Sequence, residues 1–205
     1  MTANGIKGFR SWWLALCLLA VLPGAWGQVA SVKLDDQVFP GTIQLAGSEL
    51  QINGAGFRAV AWFKGYAAAL YLTRRSSTPA GVQGAPGPKR LQMRMLVDVD
   101  AEEFVKAFDK GVTRNTPPAE LPKLAERMAQ FDAQVRALGK VAKRDVVDLD
   151  FLPGRGLQLS VNGKSRGEPI PGEDLYSAFL RIFVGDKPVD TALRSGLLGG
   201  NLRRP

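Results

Sequence analysis

The sequence predicts an α+β fold in which helices pack on one face of an antiparallel sheet. Three features of the pattern support this class. Short apolar segments separated by turn residues fill Val32 to Leu72, two amphipathic helical patterns follow, and a hairpin pattern then precedes two more helical segments. The chain has 205 residues, 45% of them hydrophobic, which is enough to bury one sizeable core. We therefore expect a single domain at residues 28–199 and a flexible tail at 200–205.

The first 27 residues have the pattern of a secretory signal peptide. Lys7 and Arg10 precede an apolar run of 11 residues, Trp12 to Leu22, and small residues then precede an expected cleavage after Gly27. The run is too short to span a bilayer as a helix, for which about 20 residues are needed. The sequence thus predicts an exported, periplasmic protein whose contact with a membrane is at most peripheral.

Composition excludes several kinds of chemistry. The chain contains no histidine, and its single cysteine, Cys17, lies inside the predicted signal peptide. Imidazole catalysis, thiolate catalysis and zinc–thiolate sites are therefore not expected, and we predict no metal and no cofactor. After cleavage, 25 basic and 19 acidic residues would leave a net charge of +6. Because these cations are scattered along the chain without interleaved aromatic residues, no nucleic-acid partner is predicted.

The first half of the chain predicts mostly strands. Phe57–Phe63 and Tyr66–Leu72 are dense in apolar side chains, as is typical of central strands covered on both faces. Ser76–Lys89 contains three prolines and three glycines, and this composition predicts a flexible surface loop without helix or strand. From Leu91 to Val99 apolar residues recur at every second position, which predicts one long strand.

The second half predicts helices on both sides of a hairpin. Asp100 and Glu103 have the spacing of a capping box at the start of the first helix. The elements predicted after that start are a helix from Thr116 to Gly139, strands Asp145–Phe151 and Leu157–Val161, a tight turn at Asn162-Gly163, and helices Glu173–Val184 and Pro188–Leu198.

Two common kinds of site can be set aside on sequence grounds. Gly54-Ala-Gly56 lacks the third glycine of a phosphate-binding loop, and a strand pattern follows it instead of a helix. Asp145, Asp148 and Asp150 lie along one predicted strand, where we expect them to face water and not a catalytic cleft.

Arg58 is the residue whose setting most clearly suggests a binding role. It lies in a segment so apolar that a permanent positive charge needs an anionic partner, and Tyr66 follows eight residues later, after a predicted turn. If the two strands are neighbours, the Arg58 guanidinium and the Tyr66 hydroxyl can converge on one carboxylate or enolate oxygen. An exposed Arg58 at a sheet edge is the alternative, since most arginines are exposed.

Several motifs in order resemble the chalcone isomerase family, and most closely its exported bacterial branch. The resemblance covers about Leu50 to Gly199 and implies that family's open-faced β-sandwich. The motifs that carry it are Gly54-Ala-Gly-Phe-Arg58, Phe63-Lys-Gly-Tyr-Ala-Ala-Ala-Leu-Tyr-Leu72, Pro153-Gly-Arg-Gly, Val161-Asn-Gly163, Ala178-Phe-Leu-Arg-Ile-Phe-Val-Gly185 and Leu197-Leu-Gly199.

The resemblance also bears on activity. The family's active-site arginine falls on Arg58, and a threonine of the enzymes falls on Tyr66. Their tyrosine and asparagine on the first helix fall near Phe104 and Gly111, and a later threonine falls near Ile182. Most polar groups of the isomerase site are therefore replaced, and the arginine–tyrosine pair resembles that of fatty-acid-binding members of the fold.

Three functions remain open on this basis. The first is non-catalytic binding of a fatty acid or similar amphipathic carboxylate through Arg58 and Tyr66. The second is an intramolecular lyase, or isomerase, acting on a chalcone-like enone or another polyphenol-like ligand, with the same two residues at its centre. The third is a structural envelope partner in which Arg58 forms an internal salt bridge. The aromatic and aliphatic residues expected to line a cavity are Phe57, Trp62, Phe104, Phe108, Tyr176, Phe179, Ile182 and Phe183.

Overall fold

The computed structural model of the protein describes residues 1–2, 29–60 and 63–200, without the side chains of Val60 and Phe63. The predicted signal peptide beyond residue 2, with Cys17, and also Trp62 and the tail from residue 201 lie outside the described residues. Within those ranges no helix combines the length and the hydrophobicity that crossing a membrane requires.

Eleven strands and five helices make up the described ranges. In chain order they are β1 (Val32–Leu34), β2 (Gln37–Phe39), β3 (Thr42–Leu45), β4 (Ser48–Val60), β5 (Phe63–Leu72), α1 (Pro79–Gln83), β6 (Lys89–Met95), β7 (Val99–Asp100), α2 (Ala101–Asn115), α3 (Leu121–Arg136), β8 (Lys140–Val141), β9 (Val146–Leu152), β10 (Gly156–Val161), β11 (Lys164–Ser165), α4 (Glu173–Val184) and α5 (Thr191–Leu197).

Seven of these strands form the main sheet. Their order is β11-β10-β9-β6-β5-β4-β3, and every neighbouring pair is antiparallel. The strands β1 and β2 form a separate hairpin, and β7 pairs with β8. As predicted, β4 and β5 lie within the sheet, and β5 is flanked by β4 and β6. The predicted strand Phe57–Phe63 is wrong in its bounds, because Phe57 belongs to β4 and Phe63 to β5. The architecture confirms the predicted α+β class.

The two faces of the sheet bury different residues because side chains alternate along each strand. On one face, Leu70, Met93 and Leu149 pack with the helices in the larger core. On the opposite face, Phe39 of the β1–β2 hairpin packs with Tyr71 and other residues of β4 and β5 in a smaller core. We call these the helix face and the outer face of the sheet.

The helices follow the predicted periodicity closely. The last long helix, α4, has the predicted bounds, and it buries the stripe that includes Tyr176, Phe179 and Phe183. The helix α2 begins directly after Asp100, as predicted, whereas α3 begins five residues after the predicted Thr116 and ends three residues before the predicted Gly139. At the predicted tight turn, Asn162 and Gly163 both have positive φ, at 52° and 74°, as a type I′ hairpin turn requires.

Two predictions in the middle of the chain are wrong. The segment 76–89 is not an irregular loop, because it contains α1, whose N-cap Thr78 accepts a hydrogen bond from Gly81 N and whose Val82 is fully buried. The long strand predicted from Leu91 to Val99 ends at Met95. Within the predicted range, only Val99 is again part of a strand, as the first residue of β7.

The predicted capping box at the start of α2 does not form. Asp100 is the N-cap residue, but its side chain makes no capping hydrogen bond. Glu103 instead accepts a hydrogen bond from Lys106 Nζ, one turn further along the helix, at 2.8 Å.

Asp148 and Asp150 are buried on the outer face of the sheet, which corrects the expectation that they face water. Arg90, on the neighbouring strand β6, donates from Nε and Nη2 to the two carboxylate oxygens of Asp150 at 2.7 and 2.6 Å. Gln92 Nε2 donates to Asp148 Oδ1 at 2.8 Å. The carboxylates therefore have cross-strand partners, which make their burial tolerable.

Candidate functional site

An apolar cavity of about 90 Å³ lies between the helix face of the sheet and the helices. Strands β5, β6, β9 and β10 supply its floor, and α2, α3 and α4 supply most of its walls. The residues around it are Tyr66, Met93, Phe104, Ala107, Phe108, Phe131, Val135, Leu138, Val141, Val147, Leu149, Leu159, Phe179, Ile182, Phe183 and Val189. Only Tyr66 among these carries a polar side-chain group.

Amphipathic helices produce this wall. Phe108 of α2 contacts Phe131 of α3 with ring centroids 4.5 Å apart, and Phe179 and Phe183 of α4 lie 5.2 Å apart in an edge-to-face arrangement. Such aromatic side chains fill space between helices but leave gaps where their flat rings meet. The cavity is thus a product of the same apolar stripes that fold the helices onto the sheet.

Most predicted wall residues border the cavity. These are Phe104, Phe108, Phe179, Ile182 and Phe183. Trp62 lies outside the described residues.

Two other predicted wall residues lie elsewhere. Phe57 packs in the smaller core on the outer face, so it cannot reach the cavity. Tyr176 is buried against Phe151, and its hydroxyl donates to Leu149 O at 3.3 Å. No residue from the segment 76–89 borders the cavity.

Arg58 and Tyr66 lie opposite each other on β4 and β5, as the sequence predicted for neighbouring strands. Residues directly opposite in an antiparallel pair project to the same side, here the helix face. Tyr66 is half-buried in the cavity wall, while Arg58 lies beside the wall with 25% of its side chain exposed. Burial raises the pKa of the Tyr66 hydroxyl well above its ordinary value, so at neutral pH it is a neutral hydrogen-bond donor.

The structure adds Asp190, which sequence reasoning did not single out. Asp190 Oδ2 lies 3.6 Å from Arg58 Nη1 and accepts a hydrogen bond from Ala59 N at 3.2 Å. Its other oxygen, Oδ1, caps α5 by accepting from Leu193 N at 2.9 Å. Arg58 also donates to the backbone oxygen of Ala59. Asp190 contributes to the pKa of Tyr66 in the direction opposite to Arg58, which places all three groups in one electrostatic neighbourhood.

Two glycines of β4 bring α5, and hence Asp190, up to Arg58. A Cβ atom at Gly54 would lie 2.0 Å from Gly196 O, and one at Gly56 would lie 3.2 Å from Leu193 Cδ1. Any side chain at Gly54 would therefore push α5 off the strand. The Gly54-Ala-Gly56 motif, rejected above as a phosphate loop, permits close approach of a helix to a strand.

One signal in the sequence could have located Asp190. An aspartate directly before a predicted helix is a common N-cap, and Asp190 precedes α5 in this way. Nothing in the sequence places that cap beside Arg58, because 132 positions separate the two residues.

The remaining acidic residues give no metal centre. Across residues 1–2, 29–60 and 63–200, no group of three or more histidine, cysteine, aspartate or glutamate side chains is arranged to hold a metal ion. What the site offers chemically is a neutral hydroxyl in an apolar wall next to an arginine–aspartate ion pair.

These features define an α+β protein with an apolar cavity and a polar group at its edge. A family model described as chalcone isomerase-like matches residues 28–199, nearly the whole chain after the predicted signal peptide. The protein therefore belongs to the chalcone isomerase-like family. No curated protein sequence matches the chain.

Solved structures show the same fold. The chain is similar to the crystal structure of a fatty-acid binding protein from Arabidopsis thaliana, with a TM-score of 0.63 and 16% sequence identity. The similarity covers 83% of this chain and 96% of the plant protein. At this identity the likeness establishes the fold, and the ligand of the plant protein remains a property of that protein.

Proposed function

We propose that the protein is an exported, non-catalytic binder of a fatty acid or a similar amphipathic carboxylate. The observation that carries the proposal is the apolar cavity with the Tyr66 hydroxyl in its wall and the Arg58 guanidinium beside it. The alkyl part of the ligand would lie among the aromatic side chains, and its carboxylate would accept hydrogen bonds from Tyr66 and Arg58.

The positions that the family resemblance assigns to catalysis support binding without chemistry. Phe104 and Ile182 border the cavity as apolar side chains, and a Cβ atom at Gly111 would lie 2.8 Å from Ile182 Cγ2. The enzymes' polar groups at these three positions are thus replaced by close apolar packing. Among the residues that the structure describes, none that borders the cavity besides Tyr66 is a general acid or base, and burial raises the pKa of the Tyr66 hydroxyl far above neutrality.

The cavity is small for a long alkyl chain. A volume of about 90 Å³ exceeds the roughly 10–15 Å³ that one water molecule occupies on the same measure, but a long acyl chain requires more space. We therefore expect the rings of Phe108, Phe131 and Phe179 to change rotamer when a ligand enters. The similar fatty-acid binding protein from Arabidopsis thaliana supports the ligand class by analogy of fold.

One observation favours the structural alternative. The hypothesis of an envelope partner predicted an internal salt bridge for Arg58, and Arg58 does pair with Asp190. Under that hypothesis the pair serves folding only, and removing the Tyr66 hydroxyl changes no affinity.

Native mass spectrometry of the mature protein, purified from its own envelope and extracted with organic solvent, tests the proposal first. A bound long-chain carboxylate is the expected result. Affinity for a fluorescent long-chain fatty acid should then fall about tenfold in Tyr66→Phe, which loses one hydrogen bond to a charged group, and should be abolished in Arg58→Ala.

Tyr176→Phe is the matched control. It removes a buried tyrosine hydroxyl that hydrogen-bonds to Leu149 O and does not border the cavity. Full affinity in Tyr66→Phe and Arg58→Ala alike would contradict the proposal. Turnover of a chalcone panel above the uncatalysed rate, lost in Arg58→Ala, would instead favour the isomerase alternative.

A further inference from the structure

An acidic side chain already pairs with the guanidinium that is proposed to hold the ligand carboxylate. Asp190 Oδ2 lies 3.6 Å from Arg58 Nη1 and accepts the hydrogen bond of Ala59 N at 3.2 Å. Arg58 is one of the two donors proposed for the ligand carboxylate, and Ala59 N is a further donor beside it. In this structure the Asp190 carboxylate therefore imitates the head group of a ligand.

The charges of Arg58 and Asp190 together determine whether the site favours a charged or a neutral ligand. The Arg58–Asp190 pair is neutral, so an incoming carboxylate is attracted by the guanidinium and repelled by Asp190. The Asp190 side chain is only 14% exposed, so solvent screens this repulsion weakly. A neutral ligand such as a fatty alcohol meets no such repulsion, and it can still accept a hydrogen bond from the Tyr66 hydroxyl.

We propose that Asp190 is a specificity-determining residue, an internal carboxylate that competes with the ligand carboxylate for Arg58 and Ala59 N. The inference rests on the proposed function and adds to the same site a residue that sets ligand specificity. Binding of an acid requires Asp190 Oδ2 to leave Arg58, whereas Oδ1 can continue to cap α5 through Leu193 N. Affinity for carboxylates is consequently lower than the Arg58–Tyr66 pair alone would give.

The competition is linked to the cavity wall through the preceding residue. Val189 borders the cavity, and its backbone N donates to Ile182 O at 2.8 Å. A displacement of Asp190 should therefore also move Val189, the adjacent residue, which is part of the cavity wall. Ligand entry and release of Arg58 from Asp190 become parts of one local rearrangement.

Asp190→Asn removes the charge and, because the amide of asparagine has only one accepting atom, it also removes the acceptor of Ala59 N. Asparagine is as good an N-cap as aspartate, so the hydrogen bond to Leu193 N and the start of α5 are retained. Affinity for a long-chain fatty acid should rise about tenfold, because one like charge is removed from a weakly screened site. Affinity for the fatty alcohol of the same length should change less than about twofold. Asp186→Asn is the control, since Asp186 is an exposed acid between α4 and α5 and gives the same change in net charge.

The outcomes separate the inference from the proposed function. If the native protein binds the acid and Asp190→Asn binds it no more tightly, the inference fails and the proposed function stands. If the native protein binds neither compound but Asp190→Asn binds the acid, Asp190 is the block that we infer. If neither protein binds either compound, both proposals fail.

A second measurement needs no variant. In the ¹⁵N-labelled native protein, a titration with the acid should shift the amide signal of Ala59 strongly, because its partner Asp190 Oδ2 is displaced. The amide signal of Leu193 should shift less, because Asp190 Oδ1 remains its acceptor, and the alcohol should move neither strongly. An unchanged Ala59 signal at saturation with the acid would overturn the inference.

Discussion

Asp132 should make the protein less stable as the pH rises from about 4 to 6. Only 8% of this residue, on α3, is exposed, and its Oδ1 atom has no hydrogen-bond partner. The pKa of Asp132 is raised to about 6, first by burial and next by the neighbouring carboxylate of Asp109 on α2, while Arg136 acts in the opposite direction and Glu102 adds a smaller increase. Burial raises the pKa of Asp109 as well.

The sign of the effect follows from linkage. The pKa of Asp132 in the folded protein, about 6, exceeds the ordinary value of 3.8, so the folded state prefers the protonated form. Below about pH 4 the carboxyl group of Asp132 does not lower the free energy of unfolding, and above about pH 6 its buried charge lowers it by the full amount. Two pKa units correspond to about 3 kcal/mol, which solvent screening of the charge reduces to about 1–2 kcal/mol.

Asp132→Asn removes the charge and should remove this pH dependence. Urea unfolding of both proteins between pH 4 and pH 7.5 gives the difference in their free energies of unfolding. We expect the variant to gain about 1–2 kcal/mol on the native protein across that range. Asp36→Asn, in the exposed turn between β1 and β2, controls for net charge. A difference that stays constant with pH would refute the reasoning.

Two further substitutions test how the fold is held together. Gly54→Ala should lower the free energy of unfolding by about 3 kcal/mol, because its Cβ atom would lie 2.0 Å from Gly196 O. Gly65→Ala on the adjacent strand is its control, since the nearest atom, Arg58 O, is 3.7 Å away and the cost should stay below about 1 kcal/mol. Asp150→Asn should cost about 2 kcal/mol, because it removes one of the two carboxylates that pair with the partly buried Arg90 guanidinium, while Asp148 Oδ2 remains 3.6 Å from Nη1. Chemical denaturation measures all three, and a cost in Gly65→Ala equal to that in Gly54→Ala would contradict the packing argument.

The elements with strong local signals could be predicted from the sequence. The bounds of α4, Glu173–Val184, are those that its apolar stripe and Gly185 indicate, and the Asn162-Gly163 turn fixes the end of β10. Each of these signals acts over one or two turns of chain. No tertiary partner is needed to interpret them.

Segment 76–89 shows where composition misleads. Proline is compatible with the first turn of a helix, and Thr78 followed by Pro79 is a normal helix start. Counting prolines and glycines without their positions therefore excluded a helix that the order of residues allows. The fully buried Val82 then holds α1 against the larger core.

The polar contacts could not be predicted in the same way. Asp148 and Asp150 share one face of their strand, but they are buried and do not face water as predicted, and this burial depends on Arg90 and Gln92, which lie more than 50 positions earlier in the sequence. The partner of Arg58 is likewise set by the packing of α5 on β4. Sequence reasoning identified a charge that needed a counter-ion, and only the fold shows which acid supplies it.

The pairing of Arg58 with Asp190 explains how a charged side chain can lie beside an apolar cavity. A guanidinium beside an apolar cavity is costly without an anion, and in this structure Asp190 supplies one. Loss of stability in Arg58→Ala consequently says little about function, because the variant leaves Asp190 uncompensated under every hypothesis. The informative quantity is the difference in affinity between an acid and the alcohol of equal length. A structural ion pair leaves that difference unchanged when Asp190 loses its charge, whereas a head-group site shifts it toward the acid.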